Sequence, residues 1–261
     1  MIDILWIVAF LWLAAASVTD IKKREVADWL SFSLLSIALA VRSAQSIAQW
    51  DYHPILMSLA GLAFFFIIAN ALYYGRLFAG GDAKLMIALG AVIPSADLIS
   101  NLLVIGSVYG IAYSLVLAIL NRKAVMIELR KYKNYMLISF FLFLLFLSGY
   151  LFTYNPLLLL ITIMIIAVPG LFFFVNAVEK SSLIKKVPAS GLTEGDWLFK
   201  DIRIKGKVIK ANFEGLTKKE IALIKKARLN VYIKEGIPFI PVFFLAFVVT
   251  AVVGNLFLIF L

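Results

Sequence analysis

From Pro54 to Tyr74 the chain reads PILMSLAGLAFFFIIANALYY, an apolar run with no charged residue. That is enough helix to cross a bilayer core, which takes about 20 residues. In hydrocarbon every backbone N–H and C=O must find its partner within the protein, so a span is either a helix or part of a closed barrel. The run is continuously apolar rather than alternating, which selects a helix. The same pattern recurs along the sequence, whose 261 residues are 63% hydrophobic and 15% charged. Soluble domains lie near roughly 45–50% and about 25%. The expected fold class is therefore an all-α polytopic membrane protein.

Helices are predicted at about 2–19, 29–49, 54–75, 83–95, 98–120, 135–153, 156–177 and 237–260. Eight transmembrane helices is the expected count, with six or seven as alternatives. The fourth helix is short for a span, and Pro94 either separates it from the fifth or only kinks the pair. The first segment, IDILWIVAFLWLAAASVT (2–19), lacks a basic leading region and reads as a retained helix rather than a cleaved signal.

Assigning the loops alternately to two sides sorts the charges. Lys22, Lys23, Arg24, Arg76, Lys84, the basic residues of 121–134 and all those from Lys180 to Lys234 fall on one side. Of the 25 Lys and Arg, Arg42 alone lies elsewhere, inside the second helix, where it either snorkels outward or pairs with an acid such as Asp51. The positive-inside rule makes the crowded side cytoplasmic and puts both termini outside, in a cell (plasma) membrane. Three parts are expected: a membrane domain over 1–178, a small cytoplasmic α/β domain over 179–236, and a final transmembrane helix over 237–261. In the second part, DIRIKGKVIK (201–210) reads as a strand pair around Gly206 and VYIKEG (231–236) as a last strand. Thr217 and Glu220 have capping-box spacing ahead of Ile221, Leu223 and Ile224. With a thin core and many lysines, this segment is expected to lean on anionic lipid headgroups. Its lysines read as a solvated face beside the membrane, so nucleic acid is not an expected partner.

The chain has no cysteine and one histidine, His53, in an outer loop. A disulfide framework, a thiolate metal site and a cysteine nucleophile are excluded, and no metal or cofactor is expected. The ionisable residues at membrane depth then become the functional candidates. Asp20 ends the first helix, and Asp82 opens the fourth within FAGGDAK (78–84). A carboxylate at a helix start is favoured by the dipole, so an interfacial reading suffices for Asp82; at a helix end it is disfavoured, so the same reading fails for Asp20. The alternative is that the two work together. Neighbouring carboxylates cannot both ionise easily, and a pair sharing one proton can take a proton from water while donating one to a carbonyl oxygen. Gly80 and Gly81 would let backbone come close to an extended substrate.

The stretch AGGDAK (79–84) followed by LMIALGAVIP resembles the aspartate motif of the type IV prepilin peptidases, in particular their archaeal preflagellin and prepilin branch. SVTDIKKREVADWL (17–30) is similar to the family's first aspartate region, and GLTEGDWL (191–198) and VYIKEGIPFIP (231–241) are similar to the archaeal branch. The family's Gly-x-Gly-Asp has Ala79 at its first position here, and the proline expected before Asp28 is Ala27. The resemblance implies a membrane aspartic endopeptidase that removes short basic leaders from archaeal flagellin and type IV pilin-like precursors at the cytoplasmic face. Asp20 and Asp82 would be its catalytic pair, with Gly80 and Gly81 shaping the site. Glu25 and Asp28 would meet leader lysines, unless they are ordinary loop charges. Lys84 would stabilise a carboxylate or contact substrate, unless it only snorkels. With no cysteine-rich element and no nucleotide loop, no methyl transfer is expected. Three other readings remain: a small ion-coupled transporter using the same aspartates, a presenilin-like intramembrane protease, and a catalytically inert scaffold for a surface-appendage machine. The oligomeric state is left open.

Overall fold

In the computed structural model the described residues are 4–75, 77–204, 206–212 and 215–259. Arg76 and Lys205, two of the basic residues sorted above, lie outside them, as do the outermost predicted residues of the first and last helices. Ten α-helices and five short strands are described: α1 Ile4–Lys23, α2 Asp28–Gln49, α3 His53–Tyr74, α4 Gly80–Val92, α5 Ala96–Leu120, α6 Arg122–Arg130, α7 Lys133–Thr153, α8 Pro156–Val178, β1 Ile184–Val187, β2 Trp197–Leu198, β3 Ile202–Ile204, β4 Lys207–Ile209, α9 Lys218–Ala227, β5 Val231–Lys234 and α10 Ile240–Val252. Among the described residues, six helices are long and apolar enough to cross a membrane: α1, α2, α3, α5, α7 and α8. With the shorter apolar helix α10 and the short helix α4, this is a polytopic all-α membrane protein with a small sheet region before its last helix.

The chain folds as two compact units: residues 1–110 with 236–261, and residues 111–235. In the first, α4 is the helix most completely enclosed by protein. Ala83, Leu85, Met86, Ala88, Leu89, Gly90, Ala91 and Val92 are all buried. At 13 residues it is about 20 Å long, short of the ~30 Å hydrocarbon core. Its closest approach to α3 is made by glycines: a Cβ on Gly61 would lie 2.2 Å from the Gly90 carbonyl oxygen, and one on Gly90 would lie 2.5 Å from Phe65 Cβ. Small residues at such crossings let backbones touch, and van der Waals contact drives helix association in lipid.

A helix that stops inside the protein leaves carbonyls to be satisfied. Two of these at the end of α4 have side-chain donors. The Ser58 hydroxyl donates to the Ala91 carbonyl at 2.7 Å, and Arg42 Nη2 donates to that of Val92 at 3.2 Å. Arg42 also donates to Gln45 Oε1 at 2.8 Å. The partners shown are therefore an amide and a helix end, where the sequence had offered Asp51 or open water. Pro94 separates α4 from α5 rather than kinking one helix, and Ser95 Oγ caps α5 by accepting the Asp97 N–H at 3.1 Å.

The last helix is shorter than its predicted 237–260. Pro241 stands in its first turn, and beyond Val252 the backbone turns at Gly254 with φ +79°. Asn101, fully buried on α5, fastens that turn. It donates to Thr250 Oγ1 and to the Gly254 carbonyl and accepts the Leu256 N–H.

In the second unit α7 packs along α8 but buries none of its own residues. The stretch 121–134, predicted as a break, contains α6. Val125 is buried among Ala177, Val178, Leu117, Ala118, Leu129 and Phe174, so an apolar anchor outweighs the charges around it. Residues 184–234 carry the three-stranded antiparallel sheet β1-β5-β2, with Ile184 opposite Lys234 and Leu198 opposite Ile233. The β3–β4 hairpin turns at Gly206, φ +82°, where a residue with a Cβ would be strained. Thr217 and Glu220 form the expected capping box on α9. Ile221 and Ile224 face the small core, while Leu223 is 39% exposed.

Candidate active site

Asp20 lies in the last turn of α1, where its own helix dipole disfavours it, and it is nonetheless buried at 5% exposure. The structure resolves the conflict with another helix. Asp20 Oδ2 accepts the backbone N–H of Ile240, the first residue of α10, at 2.9 Å. The Arg24 guanidinium lies near enough to act on its charge. Asp20 thus sits at the end of one helix and at the start of another, where dipole and orphan N–H groups favour an anion. That cap is a structural role in its own right.

Asp82 is the third residue of α4 and half-buried. Its Oδ2 accepts the N–H of Ala79 at 3.3 Å, the backward half of a capping box; Ala79 has no side-chain oxygen to return the bond. Asp20 and Asp82 are close enough to feel one another's charge. Two helix starts therefore converge on two carboxylates, one from α10 and one from α4.

The glycines differ. A Cβ on Gly81 would stand 3.2 Å from Val26 Cβ, in the α1–α2 loop that follows Asp20, so its smallness lets the two aspartate-bearing elements meet. A Cβ on Gly80 would find only Tyr73 Cε2, at 3.7 Å, an ordinary contact. Asp28 pairs with Lys84, Nζ to Oδ1 2.6 Å, while Lys84 Nζ also lies 5.9 Å from the Phe32 ring centre. Lys84 therefore ties α4 to α2, and Asp28 has a partner within the chain. Glu25 is exposed in the loop.

The two departures from the family motif cost little in backbone geometry. Ala27 adopts φ −66°, the value proline would impose, and Ala79 adopts φ −74° and ψ 160°, open to any residue.

The family comparison covers this region. The sequence model of the type IV leader peptidase family matches residues 7–115, the span containing both aspartates, both glycines, Glu25, Asp28 and Lys84. This region resembles the type IV leader peptidases. Curated relatives agree. A preflagellin peptidase of Methanococcus maripaludis is 33% identical over 91 residues, 34% of this chain and 38% of its own. One from Methanococcus voltae is 30% identical over 92 residues, 35% and 39% of the two chains. One from Methanocaldococcus jannaschii is 29% identical over 93 residues, 36% and 39%. The matches thus span about two fifths of the relatives' length.

The start of α10 lies outside the matched residues of the leader peptidase family, and sequence reasoning did not place it at the site. The signal was present in another form: a buried carboxylate at the wrong end of its own helix requires a donor from elsewhere.

Proposed function

We propose that this chain is a membrane aspartic endopeptidase. It would remove short basic leaders from archaeal flagellin and type IV pilin-like precursors at the cytoplasmic face of the plasma membrane, with both termini outside. The observation that supports the reading is that Asp20 and Asp82 each accept a backbone N–H at a helix start, within a region that matches the type IV leader peptidases. The relatives' name supplies the substrate class.

In this reading the aspartate pair shares one proton. The ionised carboxylate takes a proton from a water, whose oxygen attacks the scissile carbonyl carbon. The protonated carboxyl donates its proton to the carbonyl oxygen. Collapse of the tetrahedral species returns a proton to the leaving amine and breaks the C–N bond. A substrate's apolar helix lying in the bilayer beside the enzyme would bring its leader junction to the interface, where both aspartates belong under the positive-inside topology. The soluble segment 179–236 would rest near anionic headgroups. Glu25, exposed in the α1–α2 loop, would meet leader cations; Asp28 would do so only by releasing Lys84. No methyl transfer, metal or cofactor enters the scheme.

Leader cleavage in liposomes tests it, comparing wild type with Asp20→Asn and Asp82→Asn. An asparagine oxygen can still accept the Ile240 N–H, so Asp20→Asn separates capping from chemistry. Both variants are expected to fold and to lose at least ~100-fold in rate. A folded Asp20→Asn protein that cleaves normally would reduce Asp20 to a helix cap and sink the mechanism.

A further inference from the structure

Three contacts from separate residues converge on the few residues that begin α10. The Ile240 N–H is bonded to Asp20 Oδ2 at 2.9 Å in a buried setting. Arg24 Nη1 donates to the Gly236 carbonyl at 2.8 Å. Phe78, two residues before Gly80, meets Phe239 and Phe243 with ring centres 5.4 and 5.8 Å apart. One contact comes from the catalytic candidate itself, one from the turn that follows it, and one from the loop leading into Gly80-Gly81-Asp82. None of these ties is implied by neighbouring sequence.

We infer that Gly236–Ile240 and Arg24 form a positioning element that fixes the Asp20 carboxylate relative to Asp82. The inference rests on the peptidase reading above. A side-chain carboxylate at the end of a helix would otherwise rotate about its own bonds; a backbone N–H on Oδ2 fixes one oxygen in place. The donor is itself held firmly. Pro238 pre-sets the backbone just ahead of it, and Pro241 follows in the first turn of α10. Arg24 then clamps the segment from the front. It ends α1 in the left-handed region at φ 58°, with its N–H on the Asp20 carbonyl at 2.8 Å. Trp50, Tyr154 and Arg228 adopt the same conformation, so the turn alone assigns nothing. The bond to Gly236 and the guanidinium beside Asp20 distinguish Arg24 from them.

Arg24 is exposed, and the leader is basic in the proposed substrates, so Arg24 is not suited to bind it. Its effect should fall on turnover and spare substrate affinity. A displacement of the reacting group by about 1 Å can cost up to ~100-fold.

The test measures kcat and KM for leader cleavage in liposomes for Arg24→Gln, Arg24→Lys and Phe78→Leu, beside Asp20→Asn and wild type, with thermal unfolding of each. Arg24→Gln is expected to lose ~10–100-fold in kcat with KM within about 3-fold and unfolding unchanged. Arg24→Lys, which keeps a cation and a donor, should regain part of the loss. Phe78→Leu, which loosens α10 by an independent route, should lower kcat several-fold. Wild-type kcat in Arg24→Gln, or a defect confined to KM, overturns the positioning role. Cleavage surviving in Asp20→Asn overturns the peptidase reading itself and is a separate result.

Discussion

α4 and α7 are both apolar helices, yet they are made for different surroundings. α4, GGDAKLMIALGAV, buries most of its length in protein. α7, KNYMLISFFLFLLFLSGYLFT, buries nothing. Glycine and alanine dominate where backbones touch, as at Gly61 and Gly90, while phenylalanine and leucine cover the helix left bare. In lipid no hydrophobic force separates the two, because acyl chains are as apolar as Leu. What distinguishes them is how near another backbone can come. The short helix within the protein carries the candidate carboxylate, and the long bare one carries none. An aspartate can be held at membrane depth only where N–H groups and other helices surround it.

The sharpest way to break this comparison is to remove the carboxylate. Asp82→Asn in α4 should lower leader cleavage by ~10²–10⁴-fold, whereas Phe141→Leu in α7 should leave it unchanged. Equal effects would show that α4 has no privileged role. Next come the crossing glycines. Gly90→Ala should destabilise the detergent-solubilised protein by ~1–3 kcal/mol, since its Cβ would meet Phe65 at 2.5 Å and the Gly61 carbonyl at 2.7 Å. Gly149→Ala in α7, whose nearest neighbour would be Leu158 Cδ1 at 3.9 Å, should instead stabilise by ~0.5–1 kcal/mol. Unfolding midpoints decide the sign.

Within the site, Gly81→Ala should reduce cleavage several-fold by pressing on Val26, while Gly80→Ala should stay near wild type in the same assay. The reverse order would mean that substrate approach, rather than contact with the α1–α2 loop, selects glycine there. The smallest effect belongs to Lys84→Gln. Its bond to Asp28 is half in solvent, with side chains 42% and 60% exposed, and should be worth at most ~1 kcal/mol by thermal unfolding. A cleavage loss without that stability change would assign Lys84 to substrate.

Much of this was legible in the chain itself. Span length and the absence of alternation gave the helices, because lipid leaves the backbone few alternatives. Thr217 with Glu220 marked the start of α9, because capping is local chemistry. The sequence also singled out Asp20 and Asp82 by their cost at membrane depth. It misjudged α6, whose helix depends on Val125 finding Ala177 and Val178, and the length of α10, whose end depends on Asn101.

By itself, then, the sequence determined that the chain crosses a membrane in helices, where most of them begin, and which two carboxylates demand a reason. Periodicity, length and caps act over a turn or two, so neighbouring residues suffice to specify them. Only the tertiary structure decided that Asp20 faces the start of α10, that Gly81 rather than Gly80 makes room for Val26, and that Asp28 and Lys84 are partners. Those contacts join residues far apart in the chain. They depend on which helix surfaces come together, and no local pattern records that choice.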